Sequence, residues 1–180
     1  MGEVQALDVL IDAAEILRNQ RDIGFLLVGG GVSERSLKAR ASDARLDNVR
    51  FLGHQPVERM AEVLSLGDAQ IISLKDLPIF RTTLPSKIQA TLAAGRPIIG
   101  ALAGDGRALI RESGVGLTTT PGSAVELAEA ILETAAMTAE ERQAWGDSGR
   151  RYYLDHLSQE SGAQALSDLL HTAAEGGTRS

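Results

Sequence analysis

Residues 69–101 read AQIISLKDLPIFRTTLPSKIQATLAAGRPIIGA, and this one stretch holds a strand, a loop, a helix and a second strand. Ala69–Leu74 and Pro97–Ala101 are short apolar runs of strand length. Between them a polar loop enters a helix that stops at Gly95, a residue suited to a helix end. Thr82, Thr83, Ser86 and Lys87 crowd the point where that helix begins. Pro85 suits the first helical position, since its missing N–H would have had no intrahelical partner. Free backbone N–H groups and the positive end of the helix dipole favour an anion there, and Lys87 adds a full charge. The segment Thr82, Thr83, Leu84, Pro85, Ser86, Lys87 therefore reads as a phosphate seat.

The same alternation extends in both directions. Upstream, Leu7, Leu10, Ile11, Ala14 and Leu17 recur at helical spacing over residues 5–19, and no strand comes before them. Ile23–Val28 is a continuous apolar run delivered into Gly29-Gly30-Gly31. Ser33 is placed to cap a helix with Leu37, Ala41 and Ala44; Val49–Leu52 is a strand stopped by Gly53-His54, and Pro56–Leu66 a helix ended by Gly67. Downstream come a helix over Ala108–Glu112 and a weaker strand over Val115–Thr118. Capping-box patterns follow at Ser123/Glu126 and Thr138/Glu141, opening a helical segment over residues 123–175, with a frayed tail expected over Glu175–Ser180. Strands that are apolar throughout, joined through helices, predict a parallel sheet covered on both faces: one doubly wound, Rossmann-like α/β domain over residues 1–180. In that architecture the loops after the strands share one edge, so Gly29–Gly31, Gly53–His54, Lys75–Leu84 and Leu102–Gly106 should converge.

Composition narrows the functions. A chain of 180 residues with 43% hydrophobic and 23% charged content is ordinary for one globular domain. A net charge of −6, three lysines (Lys38, Lys75, Lys87) and 3% aromatic residues argue against nucleic acid as a partner. Absence of cysteine excludes disulfides and thiolate metal sites, and no apolar run is long enough to span a bilayer. Glu34 stands where a dinucleotide fingerprint needs its third glycine, and no Walker lysine motif or Gly-x-Ser-x-Gly elbow occurs. NAD, P-loop and hydrolase-triad chemistry are thereby disfavoured, and no metal or cofactor is expected.

The succession Gly-Glu-Val-Gln-Ala-Leu-Asp, Phe-Leu-Leu-Val-Gly-Gly-Gly, Asn-Val-Arg-Phe-Leu-Gly, Gly-Asp-Ala-Gln-Ile-Ile-Ser-Leu and Leu-Pro-Ser-Lys-Ile-Gln-Ala-Thr-Leu-Ala-Ala-Gly-Arg-Pro-Ile-Ile-Gly resembles the C-terminal half of group 1, family 4 glycosyltransferases. The likeness is most specific at Pro85-Ser86-Lys87 and Ala93-Ala94-Gly95-Arg96-Pro97, and nearest to the branch that builds exopolysaccharide and O-antigen. It implies the donor-binding domain of a GT-B enzyme: retaining, metal-independent transfer from a nucleotide sugar, a UDP-sugar by the resemblance, to a saccharide or lipid-linked acceptor. It further implies a cytoplasmic enzyme, peripheral at the inner membrane when the acceptor is lipid-linked. By position, Gly29, Gly30 and Gly31 would approach the donor, Phe51 to His54, Gly53 and His54 among them, would lie near the base, and Thr83 to Lys87 would meet the diphosphate. Two family glutamates correspond to Thr82 and Ala90, which leaves Gln89 as the substitute at the ribose, and a family lysine corresponds to Gln5.

The family also has a strand before the first helix, central in the sheet. Its absence here implies a fragment of a longer enzyme, inactive alone because the acceptor domain is absent, with a gap open to rearrangement or self-association. Two rival readings stay open: a nucleotide-sugar epimerase, for which acidic and histidine side chains are scarce, and a non-catalytic α/β nucleotide-binding or signalling module.

Overall fold

The computed structural model describes residues 1–176. Five short parallel strands alternate with helices, as the apolar runs predict. Strand β1 (Phe25–Val28) pairs with β2 (Val49–Gly53), and β3 (Gln70–Ser73), β4 (Ile98–Ala101) and β5 (Gly116–Thr119) pair in that order. Adjacent residues of one strand serve opposite faces. In β4, Ile98 enters a core shared with α5 (Ser86–Ala93) and α6 (Asp105–Glu112), whereas Ile99 enters one shared with α1 (Asp8–Ile16) and α7 (Ala124–Ala136). Each large aliphatic side chain so buried contributes about 1.5–3 kcal/mol. The β3–β4–β5 ladder is thus covered on both sides, as a doubly wound domain requires, whereas the expected second cover is missing from the β1–β2 ladder, where Leu26 and Leu52 stay exposed because no helix contributes a core to that face.

The strands form two ladders, and no ladder joins β1 to β3. Residues 1–6 contain no strand; Glu3–Gln5 make one turn of 3-10 helix. This segment bridges the carboxyl ends of β1 and β3 instead. Val4 C=O accepts from Lys75 N–H at 2.9 Å, Gln5 C=O accepts from the Ser73 hydroxyl at 2.5 Å, and Met1 C=O accepts from Ser33 N–H at 3.2 Å. In β1 the N–H groups of Phe25 and Gly29 turn toward β2, and in β3 those of Gln70 and Leu74 turn toward β4. The intervening Leu26, Val28, Ile71 and Ser73 therefore present backbone polar groups to the break.

Several local expectations are corrected. Pro85 is the N-cap of α5, with φ −63° and ψ 130°, and Ser86 is the first helical residue; the proline at a first helical position is Pro78, in the four-residue helix α4 (Pro78–Arg81). Ser33 precedes α2 (Glu34–Asp43) with helical torsions and makes no side-chain cap. The Ser123 hydroxyl caps Glu126 N–H at 3.3 Å, but the Glu126 carboxylate accepts from Thr120 N–H at 2.7 Å, so the box is half made. The helix expected over Pro56–Leu66 is a 3-10 turn, Val57–Arg59, followed by α3 (Met60–Ser65). Thr138 and Glu141 do form a full capping box at the start of α8 (Ala139–His156). The last helix, α9 (Gln159–Gly176), includes Glu175; the remaining residues of the expected frayed tail, 177–180, lie outside the described residues.

Candidate functional site

Parallel strands bring all their carboxyl ends to one edge, and specific contacts tie the loops there together. Gly29 N–H donates to Gly53 C=O at 2.7 Å, joining the loops after β1 and β2. The loops after β3 and β4 meet at Gly104, whose Cα faces the Arg81 backbone so closely that a Cβ would lie 1.9 Å from the Arg81 carbonyl oxygen. Gly106 continues the contact against Pro85 and Ile88. Residues 1–5 link the two pairs of loops: the Met1 ammonium donates to Gly30 C=O, and Val4 reaches Lys75.

Individual candidates differ in what they can offer a ligand. Gly29 and Gly31 have φ of 107° and 136°, and a Cβ on Gly31 would stand 2.7 Å from Met1 atoms, so this turn is already occupied on one side. Gly53, at φ 66°, has open space around it, and His54 beside it is exposed. Thr83 differs from expectation. Its hydroxyl donates to Ile79 C=O at 2.7 Å, closing the C-terminal end of α4. Leu84 packs against the second core, which leaves only its backbone for a ligand. Thr82 ends α4 in an exposed position, and Gln89 is half-buried on α5.

The start of α5 is where an anion fits best. No side chain caps it; Ile88 N–H is satisfied by Pro85 C=O at 2.9 Å, and the N–H groups of Ser86 and Lys87 precede it. Among the described residues no carboxylate lies within ion-pair distance of Lys87. Although the residue is exposed by surface area, protein gathered around its ammonium displaces water and pulls the Lys87 pKa below the ordinary 10.5. An unpaired, partly dehydrated cation beside an uncapped helix start has an outstanding need for a negative partner. By contrast Arg81, six residues earlier, is neutralised: it donates to both oxygens of Asp76, each at 2.8 Å. That contact lowers the Asp76 pKa and raises that of Arg81.

Sequence reasoning missed α4, the Asp76–Arg81 pair and the part played by Gly104. Pro78 was the available signal, a proline placed for a first helical turn within the supposed loop. A shallow depression lined by Leu74, Lys75, Asp76, Phe80, Arg81 and Ala103 marks the same region. A cleft of about 160 Å³ lined by Asp68, Arg96, Pro97 and Arg142 lies at the opposite edge, where the strands begin, and takes no part in this site. Among the described residues no three or more His, Asp or Glu side chains group to hold a metal ion, and no helix is long and apolar enough to cross a membrane.

Comparison with known proteins bears on this arrangement. A family model described as "Glycosyl transferases group 1" matches residues 1–136. No curated protein matches the sequence. Among solved structures, Anabaena HepE in complex with UDP and glucose superposes with a TM-score of 0.77 at 19% identity, over 94% of this chain and 45% of that one. A mutant of S. aureus TarM, in complex with Fondaparinux, alpha-GlcNAc-glycerol and UDP, gives 0.78 at 16% identity over 94% and 33%. WaaG, a glycosyltransferase involved in lipopolysaccharide biosynthesis, gives 0.68 at 19% identity over 98% and 44%. At these identities the likeness is one of fold, the α/β fold of GT-B glycosyltransferases. The chain spans less than half the length of each of the three.

Proposed function

Since a match over residues 1–136 makes the chain a member of the group 1 glycosyl transferases, we propose that it is the donor-binding half of an enzyme transferring a hexosyl unit from a UDP-sugar to a saccharide or lipid-linked acceptor. The observation that carries the proposal is Lys87, a cation without an ion-pair partner among the described residues, set at the uncapped start of α5 on the edge where the loops converge. The donor diphosphate lies against the N–H groups of Ser86 and Lys87 and the Lys87 ammonium. As the glycosidic bond to the diphosphate breaks, negative charge grows on the departing phosphate oxygen. Fixed donors and a cation at that point stabilise it without a metal, an effect worth roughly a hundred- to a thousandfold in rate for one such donor in comparable sites. Retention of configuration goes with this reading. The UDP and glucose in the HepE complex support uridine and a hexose as the nucleotide and sugar.

Exopolysaccharide or O-antigen assembly is the proposed setting, in the cytoplasm and, where the acceptor is lipid-linked, peripheral at the inner membrane. Acceptor binding falls to a second domain, so the 180 residues alone bind donor and scarcely turn over. The break between β1 and β3 supports completion of the sheet by an extended segment from outside these residues, and in the isolated chain it leaves the same edges to a second copy. Calorimetric titration with UDP, GDP and ADP tests the core of the proposal. UDP should bind, and Lys87→Ala should weaken it about ten- to a hundredfold, the worth of one charged hydrogen bond. Absence of UDP binding, or binding indifferent to Lys87→Ala, would overturn it.

A further inference from the structure

Resting on the donor reading above, we infer that Asp76, Arg81 and Gly104 form a clamp that holds the Thr82–Lys87 segment in position for a diphosphate, although none of the three needs to touch it. The loop between β3 and α5 spans residues 74–85, long enough to move unless it is tied down. Three ties act on it. The paired hydrogen bonds from Arg81 to Asp76, 2.8 Å each, close the loop around α4 and fix the end of that helix. The Thr83 hydroxyl continues the closure by donating to Ile79 C=O at 2.7 Å. Gly104 then seats the Arg81 backbone against the loop that follows β4. With φ 69°, ψ −147° and no room for a Cβ, this position takes glycine alone without displacing Arg81.

Arg81 is thus held twice, by its side chain to Asp76 and by its backbone to Gly104, and it stands directly before Thr82. From there the chain has five residues, Thr82 to Ser86, before Lys87. Pro85 restricts one of them, and Gly106, in the first turn of α6 just after Gly104, faces it closely enough that a Cβ there would stand 3.5 Å from the proline ring. The bidentate geometry matters as well as the charge, because a guanidinium fork fixes orientation where an ammonium would not. Placement of Lys87 relative to the other loops therefore depends on a contact six residues away on the outer side of α4.

The test uses the full 180-residue chain with UDP and UMP as probes, in calorimetry, and urea midpoints as the check on folding. Asp76→Asn and Arg81→Gln lie on the surface and should leave the urea midpoint almost unchanged. Each should weaken UDP binding roughly two- to fivefold, the scale of one exposed ion pair. UMP binding should change less, so that the ratio of the two affinities falls. The double variant should be no weaker than either single one, since both remove the same tie. Arg81→Lys should recover part of the loss, and Gly104→Ala should give the largest fall in UDP binding. If the parent chain binds no UDP, the donor reading falls and the clamp with it. If the parent binds and Lys87→Ala weakens it, while Asp76→Asn and Arg81→Gln change nothing or weaken UDP and UMP alike, the clamp alone is overturned.

Discussion

Gly146 of α8 lies so close to the Gly95 carbonyl oxygen that a Cβ on Gly146 would stand 2.1 Å from it. Helix α8 reaches the end of α5 through this approach, and Gly149, one turn on, repeats it against Val115 and Leu92. Gly146→Ala should therefore push α8 away. Overpacking of this kind costs about 1–3 kcal/mol, and the roughly 1 kcal/mol gained from alanine in a helix offsets only part of it. Gly162 in α9 has nothing within 4 Å, so Gly162→Ala should raise stability by up to about 1 kcal/mol. Urea midpoints at constant slope check both, and the two substitutions should move them in opposite directions.

The two capping patterns should differ in energy, because only one of them is complete. Thr138→Ala removes an oxygen that accepts from Glu141 N–H at 3.2 Å and should cost about 1 kcal/mol. Ser123→Ala should cost less, roughly 0.5 kcal/mol, since the Glu126 carboxylate keeps its hydrogen bond from Thr120 N–H. Thermal unfolding of the pair compares them directly. Equal losses would mean that the Glu126 contact contributes nothing independently.

Glu126, Asp76 and Glu34 all have pKa values below the ordinary carboxylate values of 4.5, 3.8 and 4.5, through hydrogen bonds from Thr120, Arg81 and Lys38 respectively. A depressed folded-state pKa means that the unfolded chain binds the proton more readily. The stability these contacts give is present above the unfolded pKa and is lost as pH falls through the folded one. The three groups are exposed, so the effect of each is small. Stability measured from neutral pH downward should begin to drop in the ordinary carboxylate range, and Glu126→Gln should flatten that drop without shifting its onset upward.

Much of the fold was legible because its signals are local. Ile23–Val28, Val49–Leu52, Ala69–Leu74 and Pro97–Ala101 are short apolar runs separated by helical spacing, and each contains an observed strand or most of one. The lack of a strand before α1 was legible too, and it accounts for the division of the sheet between β1 and β3. What stayed hidden depends on contacts between distant residues. Nothing in the periodicity brings Gly104 to Arg81, and α4, four residues long, is too short to establish a period. Pro85 read as the first helical residue, and the structure sets it one place earlier as the N-cap, because its ψ of 130° is extended and periodicity does not report a single torsion. Within the site, Lys87 was legible as a charge beside a helix start, whereas the engagement of the Thr83 hydroxyl with Ile79 was not.

Lys87 carries its charge at some expense to the folded state, and its pH behaviour should reveal it. Burial lowers its pKa, so the folded chain holds that proton less tightly than the unfolded chain does. Stability should accordingly rise as pH passes upward through the folded-state pKa, and Lys87→Met should leave the thermal midpoint at neutral pH equal to or above that of the parent. Ligand binding has the opposite sign. A phosphate beside the ammonium raises its pKa again, so binding favours the protonated lysine. UDP affinity should hold while Lys87 is protonated in the free chain and fall as pH rises through its lowered pKa. A titration series from about pH 7 to about pH 10.5 measures this, and in Lys87→Met that component of the decline should vanish. A pH profile identical in parent and variant would place the diphosphate away from Lys87.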